Sequence, residues 1–179
     1  MKKLFLIPIV IGFSLNSSFA QGKFSAGLEA AVSTQSLKPN QYFHDLEDFG
    51  IGGSVRYEAP LSEKLNWTAT ASFIYFITKN INGMSYWEYV IPAQGGMKYY
   101  FKKSFDGFYV GAELGIHYII YKQGIFETYN RTTDFSYAPS FGYHLRNFDI
   151  SARYQFLSGA DHSINYVGAR IAYVFGKSK

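Results

Sequence analysis

The chain has 179 residues and is weakly basic, with 17 lysines and arginines against 13 acidic residues. This excess is too small for the broad basic face of a nucleic-acid-binding domain, so nucleic acid is excluded as a partner. Cysteine is absent, and aromatic residues make up 20% of the chain. High aromatic content, many glycines and short alternating segments, without an apolar run for a transmembrane helix beyond the first residues, indicate an all-β protein.

Residues 1–20 have the pattern of a secretory signal peptide. Lys2 and Lys3 give a positive start, residues 4–15 are mostly apolar, and Ser18 and Ala20 are small residues at the two positions that a signal peptidase reads. The stretch is too short and too interrupted for a spanning helix. We expect it to be cleaved, which leaves residues 21–179 as one domain with no composition shift that would mark a linker.

Eight later segments alternate apolar residues with small or polar ones, with the period of two that a β-strand imposes. The last segment is the clearest, because its odd-numbered residues from 167 to 175 are all apolar and its other face carries Arg170 among small residues. The predicted strands cover residues 24–32, 50–59, 67–77, 89–101, 108–120, 135–145, 148–156 and 165–175.

The connections between the predicted strands alternate in length. Long connections at 33–49, 78–88 and 121–134 alternate with short turns, and a moderate one at 157–164 precedes the last strand. Outward aromatic residues also concentrate near both strand ends, with small or aliphatic residues between them. Both features are typical of outer-membrane barrels. The sequence therefore predicts an all-β, eight-stranded antiparallel up-and-down transmembrane β-barrel.

A soluble lipocalin-like barrel or sandwich is the alternative fold. It would turn the apolar face inward and the charged face to water. The polar face here carries glycine, serine and threonine with few charges, which suits a narrow lumen better than a solvated surface. Pro92 and Pro139 count against a closed sheet, because each loses a ladder hydrogen bond. A bulge or a lumen water would accommodate them.

Four acids and four bases are predicted to point into the lumen. They are Glu29, Glu58, Glu113 and Asp149 with Arg56, Lys98, Arg153 and Arg170. Eight strands enclose only enough room for side chains, and buried charges must pair. This balance predicts a self-neutralising plug, and the alternative is a narrow pore with a charged constriction.

Candidate catalytic residues are few. Asp161, His162 and Ser163 are adjacent in the last connection, and a serine hydrolase would need the serine and histidine side chains within hydrogen-bond reach. Neighbouring residues on a strand point to opposite faces, so this trio would act only if the loop curls. His117 and His144 are predicted to face the lumen as hydrogen-bonding groups, with a proton-transfer role as the alternative.

Metal and cofactor sites are not predicted. His44, Asp45, Glu47 and Asp48 form an acidic cluster in the first connection. The cluster lacks the spaced oxygen ligands and the glycine of a calcium-binding loop, so we interpret it as a solvated charge run.

Apolar residues in two connections carry the better functional indication. They either extend the outer aromatic girdle or form a contact surface for a host molecule, a peptide or another envelope protein. These residues are Ile81, Met84, Tyr86 and Trp87 in the second connection and Ile125, Phe126 and Tyr129 in the third.

Four stretches give the chain a resemblance to a known family. They are Ser18-Phe19-Ala20, I-P-A-Q-G-G-M-K-Y-Y-F at 91–101, F-Y-V-G-A-E-L-G at 108–115 and G-A-R-I-A-Y-V-F at 168–175. The chain resembles the small eight-stranded outer-membrane β-barrel family that includes OmpX, the OmpA barrel and the opacity-type surface proteins. One departure is that residues 176–179 follow Phe175, where many members end on the aromatic.

The resemblance implies a place in the outer membrane of a Gram-negative bacterium, with outer-membrane lipid as the surroundings. It also implies that the barrel-assembly machinery reads the last strand, at Gly168, Ile171 and Tyr173. The expected function is that of a non-enzymatic surface protein with a structural, adhesive or envelope-protecting role. A lipid-modifying enzyme is the alternative, but the resemblance to the barrel lipid A deacylase is weaker because its His-x-Ser-Asn arrangement is absent.

Overall fold

The computed structural model describes residues 22–34, 49–77, 87–122, 129–158 and 165–176. All regular structure in these ranges is β-strand, and consecutive strands pair antiparallel. The strands are β1 (Lys23–Ser33), β2 (Phe49–Pro60), β3 (Leu65–Ile77), β4 (Trp87–Tyr100), β5 (Gly107–Lys122), β6 (Tyr129–Leu145), β7 (Phe148–Ser158) and β8 (Tyr166–Phe175). Because β8 pairs back onto β1, the sheet closes into a barrel, which confirms the predicted fold class.

The two ends of the barrel differ. Short turns at 61–64, 101–106 and 146–147 lie at one end, called here the short-turn end. The connections 35–48, 78–86, 123–128 and 159–164 lie outside the described residues, as does the predicted signal peptide, and their end is called here the loop end. In the described part of the chain, no helix has the length and apolar character for a membrane crossing.

The prediction of a third connection covering 121–134 was wrong. β5 and β6 pair residue by residue as far as Lys122 opposite Tyr129, so the connection shortens to 123–128. Residues 130–134 are polar and show no apolar alternation, which hid the strand in the sequence. Pairing along the whole of β5 holds them extended, because strand formation depends more on neighbouring strands than on local preference. Trp87 was likewise assigned to a connection but begins β4.

The sheet turns its apolar face outward and its polar face inward. Leu114 and Ile171 are 60% and 50% exposed on the outside, whereas Arg153 and Arg170 are 7% and 4% exposed on the inside. In β8 buried and exposed residues alternate without exception. The soluble alternative, with the apolar face inside, is therefore contradicted.

Both prolines fit the closed sheet without a bulge. Ala71 pairs with Ala93 and Ile74 with Val90, so the β3–β4 ladder skips the same number of residues on both strands around Pro92. The β6–β7 ladder likewise skips equal numbers around Pro139. Each proline still pairs on its other side, Pro92 with His117 and Pro139 with Ala112. The ladder is interrupted on one side of each proline, and neither interruption is a bulge.

Candidate functional site in the barrel interior

Asp149 is the centre of a charged cluster that fills the middle of the barrel. Its carboxylate lies 2.7 Å from Lys98 Nζ, 3.2 Å from Arg170 Nη1 and 3.9 Å from Arg56 Nη1. The three cations come from β4, β8 and β2, so side chains from around the whole barrel converge on one acid on β7.

The other three acids extend this cluster through the same cations. Lys98 Nζ lies 2.8 Å from Glu58 Oε2, and Arg56 Nη2 lies 3.2 Å from Glu113 Oε2. Glu29 lies 2.7 Å from Arg153 Nη2 and 3.9 Å from Arg170 Nε. The structure thus brings together all eight residues that the sequence placed in the lumen, in one connected network, hereafter the lumen network.

Neutral side chains donate further hydrogen bonds to the acids of this network. Glu113 Oε1 accepts hydrogen bonds from Thr68 at 3.0 Å and Thr70 at 2.7 Å. The Tyr100 hydroxyl donates to Glu58 at 2.7 Å, and the Tyr109 hydroxyl donates to Asp149 at 3.0 Å. Buried ions are tolerated when such bonds offset their lost hydration.

Each carboxylate of the lumen network thus lies within salt-bridge distance of at least one cation, and the four acids and four bases cancel. The network members are between 2% and 7% exposed. A charged constriction in a pore needs groups that face a water-filled path and select ions by their sign. A neutral, internally paired network instead suits a solid plug.

An apolar layer closes the lumen toward the loop end, and the sequence analysis did not foresee it. It consists of Ala31, Ile74, Phe76, Val90, Ile119, Leu157 and Tyr166, hereafter the apolar cap. Ile74 and Ile119 are 0% and 1% exposed, so the cap is shielded from solvent. Near the loop end both faces of β3 and β5 are apolar, in runs such as F-I-Y-F at 73–76. A run that is apolar on both faces does not indicate that an apolar layer lies inside the barrel.

Between the lumen network and the apolar cap, a serine and a histidine are hydrogen-bonded. The Ser136 hydroxyl lies 2.7 Å from His117 Nδ1, and Tyr166 Oη lies 3.2 Å from His117 Nε2. This geometry matches a nucleophile beside its base. Ser136 and His117 are each 0% exposed, however, so a substrate cannot reach them. They link β5, β6 and β8 inside the barrel as structural hydrogen-bonding groups.

Both histidines that were predicted to face the lumen do so. His117 belongs to the group just described, and His144 is 2% exposed at the short-turn end. His144 Nε2 donates to the carbonyl oxygen of Arg146 at 2.9 Å. The turn between β6 and β7 is thereby fastened to the interior.

The other candidate residues lie mostly outside the described ranges. This holds for the acidic cluster, for the Asp161, His162 and Ser163 trio, and for five of the seven apolar loop residues. Trp87 and Tyr129 are the first residues of β4 and β6, at the loop end. Among the described residues, no group of three or more histidines, cysteines or acids could hold a metal ion.

Comparisons with known proteins give matches by structure but none by sequence. No protein-family model and no curated protein sequence matches the chain. The attachment invasion locus protein Ail of Yersinia pestis superposes with a TM-score of 0.62 at 12% identity, over 86% of this chain and 97% of Ail. Ail in complex with the heparin analogue sucrose octasulfate matches equally, with a TM-score of 0.62 at 14% identity over 86% and 97% of the two chains.

Two further proteins share the architecture. Neisserial surface protein A gives a TM-score of 0.53 at 13% identity, over 86% of this chain and 94% of that protein. The N-terminal β-barrel domain of Pseudomonas aeruginosa OprF gives 0.50 at 16% identity, over 87% and 100%. At these identities the likeness concerns the fold alone. The chain has the fold of the small eight-stranded outer-membrane β-barrel proteins.

Proposed function

We propose that this chain is a non-enzymatic surface protein of a Gram-negative outer membrane, with a plugged barrel as scaffold and the loop end as its working surface. The role would be structural, adhesive or protective of the envelope. The observation that carries the proposal is the apolar outer face around a barrel whose charges are paired inside.

The outer face is too apolar for contact with water. Monomeric soluble proteins rarely expose contiguous apolar patches beyond a few hundred Å². Here large apolar side chains are exposed on all eight strands, including Leu28 at 68% and Leu114 at 60%. Aromatic pairs lie near both ends, such as Phe108 with Tyr143 at the short-turn end and Tyr137 with Phe156 toward the loop end. An apolar band between two aromatic girdles is the surface that a bilayer requires.

The loop end extends beyond what a membrane crossing needs. A tilted strand crosses a bilayer with about 9–11 residues. β5 and β6 have 16 and 17 residues and stay paired as far as Lys122 opposite Tyr129. Between Phe135 and the loop end, the outward residues of β6 include the polar Arg131 and Thr133, which favour contact with water. A paired ribbon that rises above the membrane is a rigid base for recognition by the connection 123–128.

Membrane insertion is tested on residues 21–179 refolded in detergent and in lipid vesicles. We expect a folded form that migrates faster than the boiled form on gels, resists carbonate extraction from vesicles and precipitates without detergent. A chain that remains monomeric and folded in plain buffer would contradict the membrane location.

Recognition is tested on cells that display the barrel, with immobilised heparin as the first probe because of the Ail complex. Replacing 123–128 by a glycine-serine segment of equal length should remove binding, whereas the same replacement of 61–64 should not. Retained binding after the first replacement would exclude this connection as the contact surface. The lipid A and phospholipid composition of the same cells should match that of cells without the protein, and a new deacylated species would overturn the non-enzymatic role.

A further inference from the structure

A groove lies on the apolar outer face, on β2, β3 and β4 in the half nearer the short-turn end. Its volume is about 330 Å³ and its walls are almost entirely apolar. Ala69, Ala71 and Ala93 form the floor, and Phe24 and Tyr57 stand along one side. Most of the outer face carries large side chains, so this groove is a local departure from the surrounding surface.

Small residues in register on neighbouring strands create the groove. Ala71 pairs with Ala93, and Ala69 pairs with Gly95. A Cβ atom at Gly95 would meet nothing closer than the Thr68 carbonyl oxygen at 3.8 Å, so the space next to this position is open. Trp67 lies one step nearer the short turns, with its ring 5.2 Å from that of Tyr57, and marks the lower end of the groove.

Two exposed lysines lie in short turns at the ends of the strands that carry the groove. Lys64 is in the turn between β2 and β3, and its carbonyl oxygen accepts a hydrogen bond from Tyr100 N at 2.8 Å, which places it beside the end of β4. Lys102 is in the next turn, between β4 and β5. Neither lysine forms a salt bridge with another residue of the described ranges. The short-turn end is basic overall, with Lys23, Lys64, Lys102, Lys103 and Arg146 against Glu63 and Asp106.

The distance from these lysines to the groove matches a phospholipid. Ala69 and Ala71 are five and seven positions after Lys64. At roughly 3.3 Å per residue along a tilted strand, the groove therefore begins on the order of 12 Å above the lysine level. One leaflet of a hydrocarbon core is about 15 Å thick. A lipid phosphate beside the lysines would thus place its acyl chain along the alanine floor.

We infer that this face binds one anionic phospholipid, with an acyl chain in the groove and the phosphate between Lys64 and Lys102. The inference rests on the proposed membrane location, since only a bilayer presents acyl chains to the outer face. The apolar groove accommodates the acyl chain, and the two lysines provide the preference for a negative headgroup. Near a membrane surface each lysine contributes about fivefold to the binding of an anionic lipid.

The test uses Trp67 as a reporter, because it borders the groove. In a Trp87→Phe background Trp67 is the only tryptophan of the chain, and its fluorescence is quenched by lipids brominated on the acyl chain. The protein is reconstituted in vesicles in which either phosphatidylglycerol or phosphatidylcholine carries the bromine. We expect brominated phosphatidylglycerol to quench Trp67 with an apparent affinity at least about fivefold above that of brominated phosphatidylcholine.

Two variants separate the headgroup contribution from the groove. Replacing both Lys64 and Lys102 by glutamine should bring the ratio of the two apparent affinities, for brominated phosphatidylglycerol and brominated phosphatidylcholine, close to one. Gly95→Leu should fill the groove and lower the apparent affinity for brominated phosphatidylglycerol at least threefold. Two variants are matched controls and should retain both the preference and the affinity. They are Arg146→Gln, in a turn away from the groove, and Gly53→Leu, on the same outer face but outside the groove. Gel migration of the folded form checks that each variant inserts.

Each remaining outcome has a distinct meaning. Equal quenching by the two lipids in the parent protein would overturn the lipid site and leave the membrane location intact. An undiminished preference in the glutamine variant, or an undiminished affinity for brominated phosphatidylglycerol in Gly95→Leu, would also overturn it. Absence of quenching by either lipid would mean that Trp67 does not meet acyl chains, and the membrane location would fail together with the site.

Discussion

Lys98 and Asp149 form an ion pair across the lumen, with Nζ 2.7 Å from Oδ2, although β4 and β7 are not neighbours in the barrel. The same ammonium lies 2.8 Å from Glu58 on β2. Backbone pairing joins each strand only to its two neighbours, so Lys98 adds a connection between strands that the ladder leaves separate. The interior charged side chains therefore connect strands across the barrel and also fill its lumen.

Replacing Lys98 by methionine should destabilise the barrel strongly. The change leaves Glu58 without its cation and deprives Asp149 of its nearest one, and removal of one partner of a buried pair costs about 3–5 kcal/mol. Urea unfolding in lipid vesicles, followed by tryptophan fluorescence, measures this cost. Lys103→Met in the exposed turn is the control and should change the free energy of unfolding by less than about 0.5 kcal/mol. Equal effects of the two changes would show that the lumen network does not support the fold.

Arginine at Leu114 should distinguish a lipid surface from a water surface. Leu114 and Leu61 are similarly exposed, at 60% and 52%, but Leu114 lies in the middle of β5 and Leu61 lies in a short turn. In water both changes would be nearly neutral. In a bilayer, Leu114→Arg should cost about 2–4 kcal/mol and Leu61→Arg about 0–1 kcal/mol. The same urea titrations measure both values, and a neutral Leu114→Arg would place this face in water.

The positions of most strands, and the side of the sheet that each residue faces, could be predicted because a period of two is a local property of the sequence. Val167 and Arg170 could be assigned to opposite faces of β8 without knowledge of any other strand. The partners of the buried charges were not predictable in this way. Whether Lys98 meets Asp149 or Glu113 depends on the stagger between strands that are far apart in sequence, and only the closed barrel sets that stagger.

Two features failed to show in the sequence for different reasons. Ile74 and Phe76 of the apolar cap lie in a run that is apolar on both faces, so the run gives no sign of an apolar layer inside the barrel. The loop-end part of β6, including Arg131 and Thr132, is polar on both faces and resembles a connection. Alternation identifies the two faces of a strand from the contrast between apolar and polar residues, so it gives no information where both faces have the same character.

The plugged interior should conduct no ions in planar bilayers. The apolar cap and the lumen network each obstruct the lumen, so we expect no steady steps from the parent protein. Phe76→Ala should remain silent because the network still fills the barrel beneath it. Adding Glu29→Ala and Arg153→Ala removes both members of one ion pair, keeps the interior neutral and should allow small steps. Steady steps from the parent protein would contradict the plug and favour the narrow pore.

The interruptions at Pro92 and Pro139 should appear as local weak points in hydrogen exchange. The ladder skips Ser72 on β3, which lies opposite Pro92, and Tyr154 on β7, which lies opposite Pro139. The net contribution of one hydrogen bond is about 1 kcal/mol, so the amides in these gaps should exchange about fivefold faster than that of a paired residue such as Ala69. Exchange of the detergent-solubilised barrel, resolved by residue with NMR, measures the difference. Uniform protection along β3 and β7 would mean that the backbone closes the gaps in solution, as a bulge or an additional pairing would.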